Sequence, residues 1–346
     1  MYLVVAFLSI LSLTIIFDVA RSEFWDQLIA IAMGFIFSLL IANINYKYLK
    51  ASSFSLYLFA IIILIAVLLL GQEIHGAKSW FGWRGLGFQP VELVKLIVVI
   101  LLAKYFSLHY REILLFRHAL ISLVFIMPLI FLIFLQPDLG SLLVLAMIWL
   151  IMLIVVGLRF RYFILLSLSA FFLSLSGWLW FLKDYQKERL KVFINPQLDP
   201  LGRGYNVIQS IIAIGSGGFW GRGLGYGLQS QLNFLPEKHT DFIFAVIAEE
   251  LGFWGVLLVL AFYGFIFFRA YHLAKETRDN FGKFIVIGIM VFFLTHIIIN
   301  IGMNLGLFPV IGVPLLFLSY GGSSIVSAFI ALGLLQSVKK HSTMLE

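Results

Sequence analysis

The stretch ISLVFIMPLIFLIFLQPDLGSLLVLAMIWLIMLIVVG, residues 121–157, decides the fold. It holds one charged residue, Asp138, in a short turn between two apolar runs. Each run is long enough to cross a bilayer as a helix, which takes roughly 20 mostly apolar residues. The pair reads as two antiparallel membrane helices joined by QPDLG.

The rest of the chain repeats this pattern. Of 346 residues, 62% are hydrophobic and 12% charged, and the mean hydropathy is +1.05. A soluble domain has roughly 45–50% apolar and about 25% charged residues. Apolar surface on this scale needs lipid. Ten segments qualify as spans: 1–17, 26–44, 53–71, 89–107, 118–135, 139–157, 162–182, 241–268, 284–305 and 316–337. The expected fold is therefore an all-α polytopic membrane protein, a single integral membrane domain over 1–346 with a large loop at 183–240 between the seventh and eighth spans. The chain has no Cys, which excludes disulfides, thiolate metal sites and a cysteine nucleophile. Its formal charge of +7 reflects membrane-flanking loops rather than nucleic-acid binding. The first residues, MYLVVAFLSI, read as a retained span rather than a cleaved signal.

Lys and Arg in short loops set orientation. One set of loops carries Lys47, Lys50, Lys104, Arg111, Arg117, Arg159, Arg161, Arg269, Lys275, Arg278, Lys283, Lys339 and Lys340. The opposite short loops carry only Arg21, Lys78 and Arg84. Both termini are expected in the cytoplasm, and segment 183–240 outside.

The chemistry gathers in the outer segments. In FLPEKHTDFIF, residues 234–244, a carboxylate stands before an apolar run. Asp241 there suits either a helix cap or a general base at a cavity mouth. Glu249 and Glu250 lie two turns further on, Glu249 on the face of Asp241, as internal ion-pair partners or as functional groups. Glu92 and Lys95 are spaced to pair on one helix face, and Lys95 could instead meet an anion. Asp138 caps the sixth span or ligates a metal. His296, Asn300 and Asn304 form a polar stripe that joins helices or lines a cavity. Trp80 and Trp83 suit the interface belt or stacking on a sugar. The glycines between Gly215 and Gly227 match no G-x-G-x-x-G window; tight turns and close backbone approach explain them, with a phosphate cradle as the alternative. No Walker, H-E-x-x-H or serine-elbow motif is present.

The tail N300-IGMNLGLFPVIGVPLLFLSYGGSS, with QPDLG and HTDFIFAVIAEELG, resembles the signature of the SEDS family (shape, elongation, division and sporulation) over essentially the whole chain. DPLGRGYNVIQSIIAIGSGGFWGRGLG resembles its elongation branch more than its division branch. The resemblance implies a peptidoglycan glycosyltransferase that polymerises lipid II into β-1,4 glycan at the outer face of the bacterial cytoplasmic membrane. It would release undecaprenyl pyrophosphate and work with a class B penicillin-binding protein. It puts the essential aspartate on Asp241, the outer-loop tryptophan on Trp80 and the downstream glutamate on Glu249, and brings Ser319 among the substrate-binding candidates.

The chemistry agrees on its own terms. Outside the membrane a transferase needs a preactivated, tethered donor. A single inverting displacement needs one base opposite the leaving group, by analogy with inverting glycosidases. A pyrophosphate leaving group needs cations, from Lys95, Arg203, Arg222 or Lys238, with Glu92 beside Lys95, or from Mg²⁺ or Mn²⁺ near Asp138. The competing readings are a lipid II flippase, a scaffold that activates the penicillin-binding protein, and a transferase like the O-antigen ligases.

Overall fold

The computed structural model of the chain describes residues 1–74, 77–83, 86–110, 116–159, 161–166, 168, 192–193, 195–199 and 202–342. Its helices are α1 Tyr2–Val19, α2 Phe24–Asn43, α3 Lys47–Leu70, α4 Val91–Leu108, α5 Phe116–Leu135, α6 Leu139–Val156, α7 Arg203–Gly217, α8 Leu228–Gln231, α9 Ile243–Glu276, α10 Asn280–Asn304 and α11 Gly322–Ser342. Eight of the described helices are long and apolar enough to span a membrane. α4 carries Glu92, Lys95 and Lys104, yet most of it is buried among its neighbours. The expected span at 162–182 lies outside the described residues from 169 onward.

Lipid offers apolar helices no hydrophobic reason to associate, so packing and hydrogen bonds decide which lie inside. α10 and α11 bury 72% of their apolar windows, whereas α2, α3 and α9 bury 22%. The latter helices present Phe35, Phe54, Trp254 and Phe265 outward. α4, α10 and α11 thus form the centre.

One end of the bundle, called upper here, gathers the irregular chemistry. Between α3 and α4 the chain folds as a small antiparallel meander, β1 Gln72–Ile74, β2 Ala77–Trp83 and β3 Leu86–Phe88, in the order β1-β2-β3. This is the only departure from all-α architecture among the described residues. At the lower end, Tyr46 donates to the Asp279 carboxylate, and Lys340 donates to Asn43 Oδ1 at 2.7 Å.

Two expected spans differ from what the sequence suggests. The last helix starts at Gly322, not 316, because the preceding stretch cannot be helical. Pro309 and Pro314 lack a backbone donor, and Gly312 (φ 71) and Phe317 (φ 68) are left-handed. The eighth span is longer than expected and broken at Gly252 (φ 65, ψ −161).

That break explains the glycine-dense segment before it. A break frees peptide groups that lipid cannot satisfy. Arg222 N and Gly223 N donate to Glu249 O and Glu250 O at 3.0 and 2.9 Å. Phe253 N and Trp254 N donate to Gly218 O and Phe219 O at 2.9 and 3.4 Å. Residues 218–223 therefore plug the gap in α9, backbone against backbone. A Cβ on Gly221 would lie 2.1 Å from Glu250 O. Close backbone approach, the reading made for these glycines, is what Gly217 and Gly221 serve, a Cβ on Gly217 lying 1.9 Å from Ala248 O.

Gly221→Ala combines that clash with a φ of 77° and should cost roughly 2–3 kcal/mol of stability. Gly215→Ala, in α7 with nothing within 4 Å of its Cβ, should be neutral or stabilising. Thermal unfolding in detergent checks both, and equal midpoints for the two variants would refute the plug.

Candidate active site

The upper centre is built on residues 305–321, a non-helical segment running between α10 and α11. Val313 and Leu315–Ser319 are buried. Buried carbonyls without partners cost about 1–3 kcal/mol each, so the surrounding helices must supply donors. Asn300 Nδ2 donates to Val313 O at 2.8 Å, and His296 Nδ1 donates to Pro314 O at 3.1 Å. The Tyr263 hydroxyl donates to Leu316 O. Ser12 Oγ donates to Leu318 O at 2.7 Å, and Gln27 Nε2 donates to Ser319 O at 3.2 Å. Four helices thus hold one loop.

Asp241 sits against this loop. Its Oδ2 lies 3.7 Å from the position a Cβ would take on Gly312. Its carbonyl accepts from Asn300 Nδ2 at 3.0 Å and Asn304 Nδ2 at 2.9 Å. Asn304 Oδ1 accepts from Ala245 N at 3.2 Å, so it also ties down the first turn of α9. The polar stripe on α10 therefore fixes the backbone of Asp241 and of the loop below it. The N-cap of α9 is Phe242, with no side-chain cap. The capping alternative read for Asp241 is thus corrected: Asp241 stands one residue before the N-cap, its carboxylate toward Gly312.

Next to this lies a buried polar group. Lys95 Nζ donates to Glu92 Oε1 at 2.6 Å, with side chains 1% and 3% exposed. His296 Nδ1 faces Pro314 O, so its Nε2 presents a lone pair, 3.5 Å from Lys95 Nζ. Glu92 Oε2 is buried without a hydrogen-bond partner. The pairing of Glu92 with Lys95 was readable from their spacing. The approach of His296, 201 residues away, has no signal in one sequence.

Asp138 caps α6: its Oδ1 accepts from Ser141 N at 2.9 Å, and its Oδ2 accepts from Gln89 Nε2 at 3.2 Å. Among the described residues no group of three His, Asp or Glu could hold a metal ion. The residues around Asp138 therefore do not fit the metal site considered for it. The capping alternative is what its geometry supports.

The remaining candidates divide. Glu249 is fully buried, and its carboxylate accepts from Gln229 N at 2.8 Å and Ser230 N at 3.1 Å. It holds the first turn of α8 and does not share the surroundings of Asp241, because Asp241 lies outside the helix on which a common face was expected. Glu250 is buried beside Asp18. Lys238 donates to Ser230 O; burial pulls its pKa below 10.5, and Asp18 and Glu250 push it back. Arg222 Nε donates to Ser216 Oγ at 3.2 Å on the exposed surface. Ser319 is buried, its Oγ accepting from Leu315 N at 2.8 Å, so it braces the loop. Trp80, on β2, lays its ring over Gly87 of β3, 2.9 Å from where a Cβ would stand. The side chain of Arg203 lies outside the described residues.

His239 links the segment before α9 to the loop before α11, its carbonyl accepting from Tyr320 N at 2.7 Å. Burial lowers the pKa of its ring below 6.5, with Glu237 and Glu23 opposing.

Comparison with known proteins gives one consistent answer. Residues 1–344 match the family described as "Cell cycle protein", FtsW/RodA/SpoVE. The chain is 36% identical over 318 residues to the peptidoglycan glycosyltransferase MrdB of Escherichia coli (strain K12), covering 91% of this chain and 85% of that one. It is 32% identical to the peptidoglycan glycosyltransferase RodA of Treponema pallidum, covering 92% and 90%. Its fold resembles a chain of a peptidoglycan synthase complex that coordinates polymerization and crosslinking (TM-score 0.85, 32% identity, 99% and 97% covered). It also resembles the rod shape determining protein RodA of Thermus thermophilus (TM-score 0.72, 28% identity, 98% and 95% covered).

Two outcomes follow from the geometry. Lys95→Met strands a buried carboxylate and should cost roughly 3–5 kcal/mol, while Glu92→Leu combined with Lys95→Met regains most of it. A double-mutant cycle by thermal unfolding reads this, and additive losses would refute the pair. The folded protein favours a neutral His239, so the stability this gives is full above pH 6.5 and falls as pH drops below 6.5 through the lower folded value. His239→Gln should flatten the unfolding midpoint between pH 7.5 and 5.5 relative to the unmodified chain.

Proposed function

The chain belongs to the FtsW/RodA/SpoVE family, and from that membership we propose that it is a peptidoglycan glycosyltransferase of the elongation type, with a role in rod shape. Relatives bearing that activity in their names cover most of both chains. Its substrate in this reading is lipid II, displayed at the outer face of the bacterial cytoplasmic membrane. The positive-inside rule supports both termini being cytoplasmic, which turns the upper end outward.

The observation that carries the mechanism is the mounting of Asp241: a carboxylate beside Gly312, on a backbone clamped by two buried asparagines. Asp241 takes the proton from the acceptor sugar hydroxyl. The hydroxyl oxygen forms its bond to the anomeric carbon of the donor as the bond to pyrophosphate breaks. An α-linked donor gives a β-1,4 product in one displacement, and undecaprenyl pyrophosphate leaves with the bonding electrons. Lys95, held between Glu92 and His296, is the cation that meets developing negative charge in this reading. Magnesium or manganese enters only as a counter-ion carried by pyrophosphate, which fits the habit of Mg²⁺ to bind through substrate phosphates. The partner that supplies crosslinking is a class B penicillin-binding protein, supported by likeness to a chain of a synthase complex.

A lipid II flippase is the second reading, favoured by the buried Glu92–Lys95–His296 group. Polymerisation of purified lipid II, read on a gel with the cognate penicillin-binding protein present, separates the two. The unmodified chain should polymerise, and Asp241→Asn should lower the rate at least about a hundredfold, with and without divalent metal. Undiminished polymer from Asp241→Asn would remove the base assignment. A folded complex that makes no polymer but moves lipid II across vesicles would favour the flippase.

A further inference from the structure

The lower end of the bundle carries a feature that glycan transfer does not use. Arg269 and His272 on α9 and Lys339 on α11 line a cavity of about 320 Å³ together with Tyr2, Gln336 and Glu276. Lys339 also lines an adjoining cavity of about 490 Å³ with Lys340, Asn43, Gln336 and Tyr2. Arg269, Lys339, Lys340 and His272 face a single lining carboxylate, Glu276, among the described residues.

Tyr2 borders a third cavity as well. This one, about 290 Å³, is an apolar crevice between α1 and α2, running past Ala6 and Ile10 to Leu13 on one wall and along Ala32 and Leu28 on the other. From Tyr2 to Leu13 a helix rises about 16 Å at about 1.5 Å per residue. One leaflet of the hydrocarbon core is about 15 Å thick. The crevice therefore starts at a basic end and has the length of an acyl chain in a single leaflet. A basic recess that continues into an apolar groove of that length matches an amphiphile with an anionic head.

We propose that this end of the protein binds an anionic phospholipid. Its phosphate sits among Arg269, Lys339 and Lys340, and one acyl chain lies in the crevice between α1 and α2. With the orientation given above, this is a lipid of the cytoplasmic leaflet. A zwitterionic lipid offers the same chain but no net charge, and basic pockets at this depth select anionic heads. The occupied site would brace helices that also hold the buried loop of the active site. Leu13 and Leu28, at the top of the crevice, adjoin Ser12 and Gln27, which hydrogen-bond each other at 3.0 Å and reach Leu318 O and Ser319 O.

The test uses the purified full chain and does not depend on its enzymatic activity. Native mass spectrometry measures retention of phosphatidylglycerol, phosphatidylethanolamine with the same chains, and soluble glycerol phosphate. Phosphatidylglycerol should be retained preferentially. Lys339→Gln with Lys340→Gln should weaken it about twentyfold, and Arg269→Gln about fivefold. Ala32→Phe, which fills the crevice without touching a charge, should weaken it severalfold. Lys275→Gln, a cation of the same helix that does not line these cavities, should leave it unchanged. Equal retention of the two lipids overturns the proposal. So does glycerol phosphate binding as tightly as the lipid, or a loss in Lys275→Gln matching that of Arg269→Gln. All the substituted side chains are exposed, and unfolding midpoints without lipid verify that each variant folds.

Discussion

Peptide groups at membrane depth need partners, and residues 305–321 are a non-helical stretch whose second half, Val313 and Leu315–Ser319, is buried in a helical bundle. Everything near the active site answers to that constraint. The segment makes few hydrogen bonds of its own, such as Leu318 N to Leu315 O at 3.1 Å. The carbonyls of Val313, Pro314, Leu316, Leu318 and Ser319 are met by Asn300, His296, Tyr263, Ser12 and Gln27 from four helices. Removing any one of these donors leaves a buried acceptor with no water to replace it. The loop is thus over-determined, and whatever rests on it is held in one geometry.

Asp241 rests on it. The side chains that satisfy the loop also fix the aspartate: Asn300 spans Val313 O and Asp241 O, and Asn304 spans Asp241 O and Ala245 N. His296 spans the loop and the neighbourhood of Lys95. Asp241 and Lys95 therefore share one frame. A second irregularity, the break at Gly252, is repaired by a different device, the glycine-rich segment 218–223. Side-chain donors can serve a loop that has room around it. Only bare backbone can enter a helix break, which is why one site is rich in Asn and Ser and the other in Gly.

How much of this could be read in the sequence depends on distance along the chain. The membrane helices were legible because each is a local apolar run. The cap by Asp138 and the pair of Glu92 with Lys95 were legible because they lie within one turn. The start of α11 at Gly322 rather than 316 is not legible, since apolar LLFL has a helical pattern and the left-handed Phe317 within it leaves no local mark. Helical spacing puts Glu249 on the face of Asp241 only if the helix includes Asp241, and it starts at Ile243. The true partners of Glu249, Gln229 N and Ser230 N, are reached only through a fold-back of the chain. The glycines of segment 218–223 point to tight turns and close backbone approach, but not to the partner approached. That partner is the broken helix α9, about 30 residues further along the chain, which the spacing of the glycines cannot indicate.

The central claim is that the carboxylate of Asp241, mounted on this loop, takes the proton in glycan transfer. The most direct measurement is the pH dependence of single-turnover polymerisation of lipid II by the unmodified chain and by Asp241→Asn. The account predicts that the unmodified rate rises with slope one through a single carboxyl ionisation to a plateau, and that the residual rate of the variant lacks this rise. The same ionisation persisting in Asp241→Asn would contradict it and move the base to another group.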